Sequence, residues 1–304
     1  MEKFVINPEN YRSEYIKNLN ECFNGWGGDR EYDWVFERKV GEHSADILLI
    51  RNDEDGVIAG SGVSYRKLEG KGVSVEIGIM TGSWTLPAAR KKGCFTKMIH
   101  CSKDLCHNKD VPFLTAFVTE TNPSSRRLET EGSYMFPSFH LFSPEVVFKD
   151  KGLSQAKLRS SGKDTYRHIY EIMQKRQSDF MNFSYTFEEF VGQYLERIKE
   201  TTILQLDEDF AILENGVNEV KVLLLTYSNK ESLRKNIKTV TNWCLENRSL
   251  KAFFFTTREE FHQVGRELNF IISPGYFTIL SSSNGEVMDD SLFNTLNINM
   301  ADKM

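Results

Sequence analysis

The sequence predicts an α/β protein of the α+β kind, a hairpin-built sheet flanked by helices, duplicated along the chain. Three observations carry this. Strand-like and helix-like stretches alternate through the first half. Two turn signals, Asn52-Asp53-Glu54-Asp55-Gly56 and Asn215-Gly216, each join a pair of apolar runs. The order hairpin, helix, strand, helix, strand then occurs twice. The length of 304 residues agrees, because domains usually hold ~100–200 residues. The charged, Gly- and Ser-containing stretch Lys149–Gly162 marks a boundary and gives units 1–150 and 151–304.

In order, Phe4–Ile6 reads as a short strand. Tyr11–Phe23 places Tyr15, Ile16, Leu19 and Phe23 at helical spacing. Asp46–Arg51 and Val57–Tyr65 form the first hairpin. After the turn Glu69-Gly70-Lys71-Gly72, Val73–Trp84 is a third strand, interrupted near Gly82. Phe95–His107 is an amphipathic helix, with Phe95, Met98, Ile99, Leu105 and Cys106 on one face. Pro112–Val118 is a buried strand, Pro123–Glu131 a short helix, and Tyr134–Phe148 two strand pieces around Pro137 and Pro144. Helices follow at Thr165–Gln177 and Phe187–Lys199. Strands Phe210–Glu214 and Glu219–Tyr227, helix Lys230–Asn247, strand Lys251–Thr256, helix Glu259–Leu268 and strand Tyr276–Leu280 complete the second unit. The tail after Ser283 reads as polar and frayed.

Composition narrows the function. A net charge of −5 implies no broad basic surface, so neither nucleic acid nor an anionic membrane is an expected partner. The N-terminus lacks a signal-peptide pattern, and no apolar run is long enough to cross a bilayer. The five cysteines form no CxxC pair or zinc set, and the six histidines are scattered. Reduced thiols in a cytoplasmic protein, with no metal, are the expectation.

The chemistry concentrates in Thr85-Leu86-Pro87-Ala88-Ala89-Arg90-Lys91-Lys92-Gly93-Cys94-Phe95-Thr96. A strand ends, a proline turns the chain, and a basic loop opens into a helix. The first turn of a helix leaves backbone N–H groups unpaired, and its dipole favours an anion. Gly93 removes the Cβ that would keep a diphosphate away. Read alone, the loop is equally a solvated basic turn. In context it resembles the pyrophosphate signature of the GNAT acetyltransferases, Arg/Gln-x-x-Gly-x-Gly/Ala, carried here by Arg90-Lys91-Lys92-Gly93-Cys94-Phe95 with Pro87 before it. Phe95 departs from Gly or Ala at the last position. A second match follows: Asn122, Ser125, Leu128 and Gly132 fit that family's Asn-x-x-Ala/Ser-x-x-Leu-x-x-x-Gly rhythm, although Asn122 also reads as a helix cap. The resemblance covers about Asp46 to Phe142.

The resemblance implies a mixed, mostly antiparallel central sheet and acyl-CoA, acetyl-CoA above all, as co-substrate. The third and buried strands would splay, with pantetheine bonded to backbone at Trp84, Thr85 and Leu86. The diphosphate would lie on Arg90, Lys91, Lys92, Gly93, Cys94 and Phe95, beside Asn122 and Ser125. An amine would attack the thioester directly, so that much of the acceleration comes from positioning, with a backbone N–H near Leu86 polarising the carbonyl. Glu76 is the candidate base; a solvent-facing strand glutamate is the bland alternative. Glu129 stands where the family has its acidic tyrosine, so Tyr134 is the candidate acid. Cys94 and Cys101 lack a His/Asp partner for covalent catalysis.

In the second unit, Ser228 with Glu231 reads as a capping box that closes the equivalent helix start; this unit is expected not to bind CoA. The expected function is acyl transfer to a primary amine of a small molecule or sugar. Transfer of a longer chain from CoA or a carrier protein is one alternative, and CoA binding without catalysis another. A homodimer is allowed. Trp26, Tyr32, Trp34 and Phe36, beside Asp29, Glu31, Asp33 and Glu37, offer an acidic-aromatic patch for a cationic amine, or simple packing of a helix pair.

Overall fold

The computed structural model describes residues 2–54, 56–283, 293 and 295–303. Strand β1 (Glu2–Ile6), helix α1 (Arg12–Phe23), helix α2 (Asp29–Tyr32, continued by a π-helical turn Asp33–Glu37), β2 (Asp46–Asn52), β3 (Gly56–Gly70) and β4 (Val73–Thr85) open the chain. Then come α3 (Cys94–His107), β5 (Phe113–Thr119), α4 (Pro123–Thr130) and β6 (Tyr134–Phe142). The second half holds β7 (Lys157–Arg159), α5 (Lys163–Gln177), β8 (Asn182–Phe183), α6 (Phe187–Phe190), β9 (Thr201–Leu206), β10 (Asp209–Asn215) and β11 (Glu219–Leu225). It ends with α7 (Lys230–Arg248), β12 (Lys251–Thr256), α8 (Glu259–Glu267) and β13 (Ile271–Ser281). Among the described residues no helix is long and apolar enough to cross a membrane.

All strands join one mostly antiparallel sheet, in the order β1-β2-β3-β4-β5-β13-β6-β12-β11-β10-β9-β7, with β8 on β3. The two halves have exchanged their last strands. β13 lies between β5 and β6, and β6 lies between β12 and β13. The central antiparallel pair runs from Ile271 opposite Phe142 to Ile279 opposite Tyr134. Each half contains one parallel pair, β4 with β5 and β11 with β12, and each pair is bonded over only three residues before the strands part.

Periodicity explains the layers. Leu114, Ala116 and Val118 of β5 join Met98, Ile99 and Cys106 of α3 in one core. On the other face, Tyr15 and Leu19 of α1 pack with Phe36, Leu49 and Trp84. α7 and α8 cover the second half with Leu233, Ile237, Val240, Phe261 and Val264. Between the halves, a concave core holds Phe117, Phe277, Phe255, Phe190 and the tail residues Ile298, Met300 and Ala301. A fully buried aromatic ring removes roughly 150–250 Å² from water, worth about 4–6 kcal/mol before entropy is subtracted.

Several expectations are corrected. Of Tyr134–Phe148 only Tyr134–Phe142 is strand, a single one that runs through Pro137. β9 and β7 extend the sheet beyond what alternation alone suggested. The helix starting at Phe187 gives way to a π-helical turn at Val191–Leu195. The cap of α7 is Asn229, whose side chain accepts from Ser232 N while Ser232 Oγ reaches back to the Asn229 N–H; Ser228 and Glu231 do not form it. Of the tail beyond Ser283, residues 284–292, 294 and 304 lie outside the described residues. The rest is packed: Ile298 N donates to Thr257 Oγ1, Asn299 bridges Thr256, and Gln193 Nε2 donates to Ala301 O. The tail thus fills the space where β11 and β12 part.

The tail also brings Lys303 Nζ to 2.7 Å from His140 Nε2 and over the Phe255 ring. Burial, then Lys303, pushes the His140 imidazole down from 6.5 to about 4. Burial pushes the Lys303 ammonium down to about 8. A depressed histidine stabilises the fold above its unfolded pKa, and this contribution disappears as pH falls through the folded one. His140→Phe is therefore expected to lose less stability than wild type between pH 6.5 and 4, by up to roughly 3 kcal/mol. Urea melts across that window check this; parallel curves would refute it.

Candidate acyl-CoA site

The cleft begins where β4 and β5 separate. Their pairing stops at Ile79 and Thr115, after which β4 runs on to Thr85 and β5 to Thr119. A bulge re-aims β4: Gly62 faces Thr81 while Gly60 faces Trp84, so Gly82 and Ser83 oppose Ser61 alone. Gly82 has φ +56°, and the Ser61 and Ser83 hydroxyls lie 2.7 Å apart. Such bulges redirect backbone groups away from the ladder.

Beyond Thr85, Pro87–Ala89 makes a single 3-10 turn. Lys91 (φ +65°) and Gly93 (φ +78°) are left-handed, and α3 starts at Cys94. No side chain caps α3. By contrast, α4 is capped by Asn122, which accepts from Ser124 N at 3.0 Å. A Cβ on Gly93 would touch nothing within 4 Å, so this side of the loop is open. The uncapped start of α3 faces a cleft of about 670 Å³. Ser83, Trp84 and Thr85 form its β4 wall, Cys94, Phe95, Thr96 and Met98 its α3 wall, and Asn122, Ser124 and Arg127 its α4 wall. Arg90, Lys91 and Arg127 line it, and among the described residues no carboxylate does. In a protein of net charge −5 this is a local cationic site suited to a phosphorylated ligand.

The sequence-selected residues divide in three groups. Trp84, Thr85, Arg90, Lys91, Gly93, Cys94, Phe95 and Asn122 come together in the cleft. Lys92, Leu86 and Ser125 do not line it. Lys92 is exposed. Leu86 packs toward α1, and its N–H donates to Ile58 O at 2.9 Å, so it is spent on β3 and cannot polarise a carbonyl. Ser125 is buried and its hydroxyl donates to Glu120 O and Asn122 O, a structural bond at the start of α4.

Glu76 and Tyr134 form the third group, and both lie off the cleft. Glu76 sits on the paired part of β4, nine residues before Thr85, a span of roughly 30 Å along an extended strand. It is 3.4 Å from His43 Nε2, near the far end of α3, and burial raises its pKa while His43 lowers it. It lies on the face opposite Val75 and Ile77, as alternation suggests, and before the point where β4 and β5 part. Tyr134 is the first residue of β6, level with Ile279 and Thr115; its ring packs on Phe136 at 4.3 Å. Among the described residues no histidine, carboxylate or tyrosine lines the cleft. Its two thiols, Cys22 and Cys94, are pushed up by burial, which keeps them protonated and poor nucleophiles.

The N-terminal patch is packing. Tyr32 and Phe36 are buried around Tyr15. Arg12 bridges Asp29, Asp33 and Glu37, Glu31 accepts from Gly28 N, and the Trp34 ring holds Arg38 and Arg197. Asp29, Asp33 and Glu37 already share a cation, Arg12. Sequence reasoning missed Cys22, Phe23 and Arg127. Arg127 was legible, because it lies five residues after Asn122 on a short helix; Cys22 and Phe23 depend on how α1 crosses β4.

No sequence-family model matches the chain, and no curated protein matches it. Similarity is in structure. A GCN5-related N-acetyltransferase from Kribbella flavida superposes with TM-score 0.65 at 11% identity, over 93% of this chain and 72% of that one. A tandem GNAT protein from the clavulanic acid biosynthesis pathway does so with TM-score 0.64 at 10% identity, over 94% and 100%. Saccharomyces cerevisiae N-myristoyltransferase with bound myristoyl-CoA gives 0.64 at 12%, over 92% and 82%. At such identities the likeness is one of fold, and it establishes that this chain carries the GNAT fold, matching the tandem protein over nearly its whole length.

Proposed function

We propose that the chain transfers an acyl group from acyl-CoA to a primary amine of a small molecule or sugar, in a ternary complex. The observation that carries the reading is the α3 start: uncapped, led by left-handed Gly93, flanked by three cations and opening on the strand gap. The diphosphate accepts the free N–H groups of the first turn of α3. Arg90, Lys91 and Arg127 add charge. The pantetheine amides bond to the β4 edge that β5 has left, at Ser83–Thr85. The thioester then lies at the bulge, where an amine attacks the carbonyl carbon, the C–S bond breaks and CoA leaves as the thiol. With no proton-transfer side chain lining the cleft among the described residues, positioning carries the rate; the amine loses its proton to solvent and the leaving thiolate takes one from it.

The units are residues 1–150, which bind the donor, and 151–304, which do not. Two features support the second assignment: Asn229 closes the start of α7, and the tail occupies the gap between β11 and β12. Five unpaired thiols suit a reducing compartment, the cytoplasm.

Calorimetry with acetyl-CoA, paired with thiol release over an amine panel, tests this. One equivalent bound and amine-dependent release are expected. The missing proton-transfer group favours one other reading, a CoA-binding protein without catalysis; binding with no release on any amine would establish that instead.

A further inference from the structure

We propose that the acceptor amine carries a carboxylate, and that Ser138, His140 and Lys303 hold it on the concave face of the sheet. This rests on the acyl-transfer reading above. β4 and β5 are last bonded at Ile79 and Thr115. Ser83, at the bulge, and Thr119 each lie four residues further along, at about one height on either side of the gap. Thr119 pairs with Gly275 of β13, and Gly275 with Ser138 of β6. The thioester and Ser138 therefore share one level of the sheet, with Ser138 roughly 10 Å beyond β5, two strand spacings away.

Alternation from Phe136 and Phe277, which point into the concave core, puts Ser138, His140 and Gly275 on that same face. α3 packs on the opposite face of β5, so the diphosphate and the acceptor reach the gap from different sides. A Cβ on Gly275 would come within 3.2 Å of Ser138 Oγ and of His140 Cε1. Both side chains thus lean over the bare glycine, toward β5 and the gap. Ser138 is 1% exposed and His140 7%, yet Ser138 Oγ and His140 Nδ1 have no hydrogen-bond partner among the described residues. Leaving such a group unpaired costs about 1–3 kcal/mol, so buried polar atoms as a rule meet a partner. His140 Nε2 faces Lys303 Nζ at 2.7 Å. An ammonium can only donate, so Nε2 accepts and Nδ1 carries the ring proton. Three donors result. Burial lowers both pKa values, and the charges that act further on them, Lys303 on His140 and Lys221 on Lys303, are cations. A carboxylate is the complement that this cluster lacks. Phe117, Thr119 and Phe253 are half-buried and Ser273 is exposed, so the face opens to solvent here, and Phe117 offers an apolar bed to the chain that joins amine and carboxylate.

Acetyl transfer to ω-aminooctanoate, its primary amide and octylamine, followed by thiol release, tests this; the extended acid spans roughly 10 Å. The acid is expected to exceed the amide by roughly 10- to 100-fold in kcat/KM, mainly through KM, the worth of charge-assisted contacts. γ-Aminobutyrate, too short to reach Ser138, should gain nothing over butylamine. Ser138→Ala and Lys303→Met should each cut the acid-over-amide ratio by roughly fivefold or more, and either suffices where the other does not fold. Equal turnover of acid and amide by wild type overturns the inference, as does a ratio kept in the folded variants; thiol release then still upholds acyl transfer. No release from any amine removes both.

Discussion

Gly93→Glu is expected to weaken CoA binding by about 30-fold or more while leaving the protein folded. Gly93 has φ +78° and no neighbour within 4 Å of a Cβ. The substitution therefore clashes with nothing in the protein and carries only the strain of a left-handed residue, about 1–2 kcal/mol. Melting should fall by a few degrees. The ligand meets a different situation. The new side chain stands over the free N–H groups of α3 with a charge of the wrong sign. Charge-assisted hydrogen bonds are the strong ones, and losing two or more while adding a repulsion should weaken binding by roughly 2–4 kcal/mol, about 30- to 1,000-fold. Gly93→Ala separates the contributions: it adds the strain without the charge and should weaken binding far less. Calorimetry and thermal melts on the three proteins decide. Unchanged affinity in Gly93→Glu would remove the diphosphate from this loop.

Asp302→Ala is expected to cost the fold about 3–5 kcal/mol, the toll of breaking one partner out of a buried charged network. Asp302 is 2% exposed. Its Oδ1 accepts from Tyr185 Oη at 2.8 Å and Tyr194 Oη at 2.7 Å, and its Oδ2 from Asn299 N at 2.7 Å. Tyr185 in turn accepts from Arg66 Nη1 at 3.1 Å. Burial raises the carboxyl pKa, opposed by those donors and by Arg66. Truncation leaves three donors facing no acceptor in a dry site. Asp302→Asn keeps one acceptor but turns an amide donor on another donor, so an intermediate loss is expected. Denaturant melts give both values, and a loss within 1 kcal/mol for Asp302→Ala would show that the tail is dispensable.

Much of the first half was legible because its signals are local. The turn at Asn52–Gly56, the interruption at Gly82, the Pro87–Gly93 loop and the Asn122 cap each depend on residues a few positions apart. They fixed the strand–loop–helix geometry that builds the cleft. The strand exchange was not legible. Tyr276–Leu280 reads as a strand from its own residues, but nothing in them says that it pairs with Phe113–Thr119 instead of strands of its own half. Glu76 lies off the cleft for a related reason: alternation gives the face of a strand and not its height against a neighbour. The tail misled because its composition is polar, whereas Asp302 and Lys303 are held by tyrosines and a histidine far away in sequence. The capping box slipped by one residue, since Ser228 and Asn229 are both good caps and the backbone alone chooses.

The placement of β13 against β5 also sets an order of events during synthesis. The wall of the cleft is braced by residues 271–281, made about 160 positions after the strand that they brace. Until that last segment leaves the ribosome, β5 and β6 present bare edges, the surfaces most prone to wrong pairing. A message cut short before Ile271 would thus yield a chain with every residue that lines the cleft present and a sheet open at its centre.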